Sequence, residues 1–245
     1  YMASGFSKKD FYFLKKIGCK YLKIPSGEIT NLNLLKYVGS LRMKTILSTG
    51  ASNIAEIKQS IKYLKKGGAK NSDITLLHCN SAYPTPPKDC NLRSMNTIKE
   101  IFKTSVGYSD HTNKIDIPVI AVALGAEVIE KHFTLDKSKI GMDNQMALEP
   151  DEMCQMVTNC HNVQKALGSK ERIVMQAEMD QRKQMRRSIT VMKDLKAGHK
   201  LHKNDLDVKR PGTGLSPDKL NEIIGKTIAV DVRMDTLILR EDISE

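Results

Sequence analysis

Short apolar, β-branched runs alternate along the first part of the chain with stretches whose apolar residues recur at helical spacing. Runs at residues 21–25, 44–49, 74–79, 105–109 and 128–134 read as strands, and helical patterns fill the gaps between them. That alternation predicts an α/β fold with a parallel sheet and crossover helices. The clearest helix covers residues 53–66, where Ile54, Ile57, Ile61 and Leu64 are spaced three and four apart and Gly67-Gly68 ends the pattern. A second begins at Pro150, whose fixed φ suits a first turn, and sets Asp151 and Glu152 against the positive end of the helix dipole. Its stripe of Met153, Met156, Val157, Cys160 and Val163 reads as packing surface, and the pattern ends near Gly168. Beyond Gly168 the character changes. Residues 169–185 form a polar, charged connection, and short runs at 188–192, 206–209 and 227–232 then predict a small β-rich second domain.

A length of 245 residues with 40% hydrophobic content is enough for a buried core. No run approaches the roughly 20 apolar residues that cross a bilayer, and residues 1–6 lack the basic and apolar segments of a secretory signal, so the cytoplasm is the expected compartment. Cys19, Cys79, Cys90, Cys154 and Cys160 are scattered with no C-x-x-C pair, which predicts reduced, mostly buried thiols. The formal charge is +11, and ten Lys or Arg stand against three Asp between Arg182 and Arg210. Aromatics make up only 5% of the chain and Trp is absent, so the stacking platforms of a nucleic-acid binder are lacking. An anionic small substrate accounts for part of the excess charge. The chain starts on Tyr1 and runs at once into what reads as the end of a strand, the pattern expected when the beginning of a domain is missing.

Several runs carry a strand straight into polar chemistry, as α/β barrels do at one rim. His111 and His132 end neighbouring predicted strands, where two neutral imidazoles suit Mn²⁺, Fe²⁺ or Zn²⁺ as a Lewis acid or simply hydrogen-bond a loop. His78 has the same placement, and Asp110 and Glu130 stand as orienting groups or further ligands. Lys23, Ser26 and Glu28 follow one strand and Ser48-Thr49-Gly50 the next. A lysine with neighbouring hydroxyls binds phosphate or carboxylate, caps a loop, or forms a Schiff base. Asp143 lies in the loop after the last strand, within reach of sugar hydroxyls.

Six motifs in order are far more specific than any one of them: Lys23-Ile24-Pro25-Ser26-Gly27-Glu28, Ile46-Leu47-Ser48-Thr49-Gly50, Leu77-His78-Cys79 with Tyr83-Pro84, Ser109-Asp110-His111-Thr112, Glu130-Lys131-His132-Phe133-Thr134 and Val208-Lys209-Arg210-Pro211-Gly212. Over essentially its whole length the chain resembles the bacterial sialic acid synthase family, the N-acetylneuraminate synthases with their legionaminic and pseudaminic acid relatives. The resemblance implies a (β/α)8 TIM barrel over residues 1–168, a linker at 169–183 and an antifreeze-like SAF domain at 184–245. It implies a transferase that condenses phosphoenolpyruvate with an N-acetylated amino sugar, N-acetylmannosamine or a 2,4-diacetamido sugar, giving a nonulosonic acid and phosphate. By the same resemblance His111 and His132 become ligands of a divalent metal, Mn²⁺ by implication, and act in catalysis with Glu28. Lys23, Ser26, Ser48 and Ser109 would hold phosphoenolpyruvate, while Glu28, Ser81, Tyr83, Asp143 and Arg210 would contact the sugar. Arg210 matches an arginine that reaches a partner's active site, so a homodimer is implied, each SAF domain capping the other barrel. Residues 80–81, the loop 142–146 and Arg186-Arg187 would set the acceptor.

Residues 1–6 correspond to the end of the third barrel strand. The barrel is therefore expected to lack its first two strands and the family's N-terminal catalytic glutamate, leaving two sheet edges exposed and the chain as given inactive, while a full-length parent would be active. Two other readings stay open: a Schiff-base aldolase on Lys23, and a non-catalytic protein that binds acidic sugars or polyanions. Neither nucleic acid nor membrane is an expected partner.

Overall fold

The structure, a computed structural model, describes residues 1–141 and 143–244; Met142 and Glu245 lie outside them. The chain divides at Gly168 into two compact units. In the first, five parallel strands form one sheet: β1 (Tyr21–Ile24), β2 (Lys44–Ser48), β3 (Ile74–Cys79), β4 (Ser105–Asp110) and β5 (Ile129–Lys131). Spatial order equals sequence order, so each crossover carries the chain one strand onward and the sheet curls into a half-barrel. Helix α1 (Lys8–Lys16) precedes β1, α2 (Leu32–Ser40), α3 (Ile54–Gly67), α4 (Ser94–Phe102) and α5 (Asp116–Ala123) follow the first four strands, and α6 (Pro150–Leu167) closes the unit.

Alternation along the strands divides the sheet into two faces. Leu22, Ile24, Leu47, Ile74, Leu76, Val106 and Tyr108 are buried in one core with Leu35, Ile57, Leu64 and Met95 from the helices. The opposite face carries Ile46 and Leu77 low in the sheet and turns polar toward the carboxyl ends, with Lys23, Ser48, Cys79, Ser109 and Glu130. Helix α3 begins with a capping box: the Asn53 side chain accepts from the Glu56 N–H at 3.0 Å, and the Glu56 carboxylate accepts from the Asn53 N–H at 2.8 Å. It crosses α2 backbone to backbone. A Cβ on Gly39 would lie 2.0 Å from the Leu64 carbonyl oxygen, and one on Gly67 would lie 2.1 Å from that of Lys36, so the crossing needs both glycines.

Two expectations change, while the cysteines are mostly buried as expected. The last strand of the sheet, expected over 128–134, is only Ile129–Lys131, because the chain then pairs with Leu148: Leu148 N–H donates to the His132 carbonyl at 2.9 Å and Thr134 N–H to that of Leu148 at 3.0 Å. The stripe on α6 is only half covered, with Met156 buried, Val157 42% exposed, and a cavity of about 250 Å³ against Ile129 and Lys131. Cys19, Cys79 and Cys90 are buried, whereas Cys154 is exposed and Cys160 half-buried.

The second unit begins at Ser169, and the segment expected as a polar connection contains helix α7 (Met179–Met185). Strands β6 (Ser188–Val191) and β7 (Leu206–Lys209) pair antiparallel, and after α8 (Leu220–Ile223) so do β8 (Thr227–Ile228) and β9 (Ile243–Ser244). The strand expected over 227–232 stops at Ile228 because Val232 bridges to Leu195 instead. Ile189, Val191, Leu201, Ile228 and Ile238 form a separate core. Beside it, buried Asp205 accepts hydrogen bonds from Lys193 Nζ at 2.7 Å, His199 Nε2 at 2.8 Å and the His202 N–H at 2.9 Å. Among the described residues no helix is long and apolar enough to cross a membrane.

Candidate functional site

The polar rim at the carboxyl ends of the first sheet has a lobe built on Lys23 and hydroxyls and a lobe built on imidazoles. Lys23 is buried, and its ammonium donates to Ser48 Oγ at 2.8 Å and to the Ile24 carbonyl at 3.4 Å while pairing with Glu130 Oε2 at 3.3 Å. The other Glu130 oxygen accepts from Ser109 Oγ at 2.7 Å. One lysine and one glutamate thus join β1, β2, β4 and β5, each holding one hydroxyl, Ser48 on Lys23 and Ser109 on Glu130. Alongside, Ser26 Oγ accepts from the Gly50 N–H at 3.0 Å and lies 3.4 Å from Cys79 Sγ. A Cβ on Gly50 would meet Ser81 Oγ at 2.3 Å, Cys79 Sγ at 2.8 Å and Ser26 Oγ at 2.9 Å, so the absent side chain is what lets these three converge. A cavity of about 310 Å³ opens beside them. Burial pushes the Cys79 thiol up and keeps it protonated.

In the second lobe His111 and His132 stand with ring centroids 5.3 Å apart, and Tyr83 stacks on His111 at 4.2 Å. His111 Nδ1 lies 2.6 Å from the Asn80 carbonyl, which only accepts, so Nδ1 carries the proton. Burial pushes the His111 imidazole below its ordinary value and favours the neutral ring, leaving a lone pair on Nε2. His132 Nδ1 faces Asp143 Oδ2 at 3.7 Å. Two rings about 5 Å apart match a pair of ligands on one ion with metal–nitrogen bonds of about 2.1 Å.

Behind this lobe, on the helix side, Lys131 Nζ and Asp110 Oδ2 form an ion pair at 2.6 Å with side chains 2% and 0% exposed. Asp110 also accepts from the Thr112 N–H at 3.1 Å and its hydroxyl at 3.0 Å, while Lys131 donates to the Thr112 carbonyl, clamping the turn that presents His111. His78 falls on that same helix side, its Nε2 donating to the Cys90 carbonyl at 2.8 Å, and so stands apart from His111 and His132.

Among the candidate residues, Lys23 and Ser109 meet at Glu130 with Ser48 on Lys23, Ser26 and Ser81 meet at Gly50, and Tyr83, His111, His132 and Asp143 form the second lobe. Glu28 stands outside these contacts, its carboxylate accepting from Asn31 Nδ2 at 2.8 Å. Arg210 belongs to the second unit, and Met142 lies outside the described residues. The sequence reading has Glu130 as an orienting group or further ligand and gives Lys131 no role of its own. Their positions two and one residues before His132, on opposite faces of a strand, are the signal that separates a rim group from a buried partner.

A curled parallel sheet with a polar rim and a small β-rich second unit defines a barrel-type α/β protein. A profile of the NeuB family matches residues 1–172 and one of the SAF domain residues 186–244, and the chain belongs to the NeuB family. N,N'-diacetyllegionaminic acid synthase of Campylobacter jejuni is 42% identical over 238 residues, covering 97% of this chain and 71% of the relative. Pseudaminic acid synthase of the same organism is 34% identical over 240 residues, 98% of this chain and 69% of the relative. The crystal structure of N-acetylneuraminic acid (sialic acid) synthetase from Leptospira borgpetersenii, in complex with citrate, matches with a TM-score of 0.68 and 36% identity, covering 73% of this chain and 62% of that one.

Proposed function

We propose that the protein is a nonulosonic acid synthase, a transferase that joins phosphoenolpyruvate to the open-chain form of N-acetylmannosamine or a 2,4-diacetamido sugar. The observation that carries this reading is the juxtaposition on one rim of a buried lysine with converging hydroxyls and a pair of imidazoles with a free nitrogen, in a chain of the NeuB family. Lys23, Ser26, Ser48 and Ser109 would hold the phosphate ester and its carboxylate, phosphoenolpyruvate taking the place the Glu130 carboxylate holds beside Lys23 and Ser109. His111 and His132 would hold a divalent cation, Mn²⁺ by family resemblance, and when bound it supplies Lewis-acid polarisation of the sugar aldehyde. Among the described residues no third His, Cys, Asp or Glu completes a metal-holding cluster, so two protein nitrogens fit a site whose other positions come from water or substrate. Tyr83, Asp143 and Ser81 would contact the sugar, Glu28, which bonds Asn31 outside both lobes, would join them by family resemblance alone, and Arg210 of a second copy in a homodimer would reach its acyl group beneath a capping SAF domain. In the reaction C3 of phosphoenolpyruvate would bond to the aldehyde carbon, whose oxygen takes up the proton released as water adds at C2, and the C2–O bond to phosphate would then break as the added hydroxyl becomes the C2 carbonyl. We assign the reaction to the cytoplasm, where phosphoenolpyruvate is made.

The aldolase reading is weaker because the three N–H donors of Lys23 are engaged by Ser48, Ile24 and Glu130, whereas a Schiff base needs a free lone pair. The test is phosphate release from phosphoenolpyruvate by the natural full-length protein that carries this chain, with Mn²⁺ and a panel of N-acetylated mannose and 2,4-diacetamido sugars, beside His111→Ala and His132→Ala. Release that depends on sugar, metal and both histidines is expected. A folded, metal-loaded protein that releases phosphate with none of the sugars would favour the acidic-sugar-binding reading instead.

A further inference from the structure

The second unit contains a cationic pocket to which no step of the proposed synthase reaction assigns an anion, although two of its residues, Arg186 and Arg187, are among those the family resemblance sets near the acceptor. Arg182 and Lys183 on α7, with Arg186 and Arg187 just after it, surround a cavity of about 160 Å³ closed by Gly212 and Ser216. At about 30 Å³ per water, that is room for one oxyanion and a few waters. No salt bridge among the described residues uses any of the four cations; the bridges of this unit belong to Lys193, Lys196, His199, Lys209 and Lys219. Arg187 donates to the Val208 carbonyl at 3.0 Å, which fixes the guanidinium plane without neutralising it. Asp218 feels the charge of Arg186, but the Ser216 hydroxyl is the main cause of its lowered pKa, and Asp218 does not line the cavity.

The pocket is also held open. Gly212 N–H donates to the Lys183 carbonyl at 2.7 Å, which docks the turn against the end of α7 and satisfies a helix-end acceptor whose dipole would repel an anion. A Cβ on Gly212 would lie 2.6 Å from the Arg186 Cβ, so a side chain there would push into the arginine that lines the cavity. Four unneutralised cations around a small preserved hollow lack only a compact, multiply charged acceptor, and planar guanidinium forks favour tetrahedral phosphate.

We propose that this pocket is a binding site for a phosphate group, either free inorganic phosphate or the phosphomonoester of a sugar. The site lies within the second unit and does not rest on the synthase reading, so either proposal can fail alone. The test is modification of the intact natural protein by phenylglyoxal, with the labelled arginines identified by peptide mass spectrometry. Inorganic phosphate and a hexosamine 6-phosphate are compared with acetate at matched ionic strength. Either phosphate is expected to slow labelling of Arg182 and Arg186 about fivefold, leaving Arg172 and Arg233 unchanged. Whichever protects at the lower concentration identifies the source. Gly212→Ala, which displaces Arg186 and keeps every charge, should abolish the protection, and Lys183→Gln should weaken it without disturbing the melting transition. Protection by acetate equal to that by phosphate, protection spread over all arginines, none at all, or protection unchanged in both variants would overturn the site.

Discussion

Replacing Lys131 by Met tests whether the buried ion pair behind the imidazole lobe holds the rim in place. The substitution keeps the unbranched stem and removes the charge, leaving the Asp110 carboxylate with the Thr112 N–H and hydroxyl as its remaining partners, in a place with no access to solvent. Breaking a buried pair from one side costs about 3–5 kcal/mol, most of it the uncompensated charge left behind. Asp110→Asn exposes the same cost from the other side. The double variant removes both charges, keeps an acceptor for Thr112, and should recover most of the loss, giving a coupling energy of at least about 2 kcal/mol. Since a chain of two units need not unfold in one step, the assay is urea-dependent hydrogen exchange at the amides of β4 and β5. Single variants that lose less than about 1 kcal/mol there, or a double variant that loses the sum of the two, would refute the assignment of the pair as the clamp on the His111 turn.

Gly39→Ala drives a methyl group into the Leu64 carbonyl and should cost about 3 kcal/mol or more as α2 and α3 separate, read as a lowered melting midpoint. Gly50→Ala should leave the fold intact within about 2 kcal/mol yet weaken binding of phosphoenolpyruvate at least about tenfold by calorimetry, because its Cβ displaces Ser26 and Ser81 together. At Asp205 burial alone would raise the carboxyl, but hydrogen bonds from Lys193, His199 and the His202 N–H overcome it and hold the group far below the usual carboxylate range. A depressed carboxyl contributes stability above its unfolded value of about 3.9 and loses it as pH falls toward the folded one. Acid titration followed by circular dichroism should therefore unfold the second unit progressively below about pH 4, and Asp205→Asn should flatten that dependence while costing about 2 kcal/mol at neutral pH.

Much of the frame was legible because it depends on local patterns. Ile54, Ile57, Ile61 and Leu64 sit at helical spacing behind an Asn53–Glu56 capping pair, and four of the five sheet strands fall within a residue of the runs expected. The misreadings arise where a distant partner decides. Leu148 takes over the pairing of the chain after Lys131, and Leu195 does the same for Val232, so in both places an apolar run looks like a longer strand than the register permits. The half-covered stripe on α6 fails for a related reason: spacing identifies which residues share a face, but not how much of that face another element covers.

At the rim the same division separates residues of identical type. His78 and His111 both follow apolar strands, yet His78 has the parity of Leu76 and faces the helices, whereas His111 has the parity of Ser109 and faces the rim. That difference was available from alternation alone. Lys23 is the opposite case. Its parity puts it on the rim, where a Schiff-base lysine and an anion-holding lysine would sit alike, and the three acceptors around its ammonium are what alternation does not reveal. One of those acceptors, Glu130, lies more than a hundred residues along the chain, brought back by the curl of the sheet. Residue type and alternation therefore limit which chemistry a barrel rim can offer, and the closure of the sheet selects among the options by choosing each group's partner.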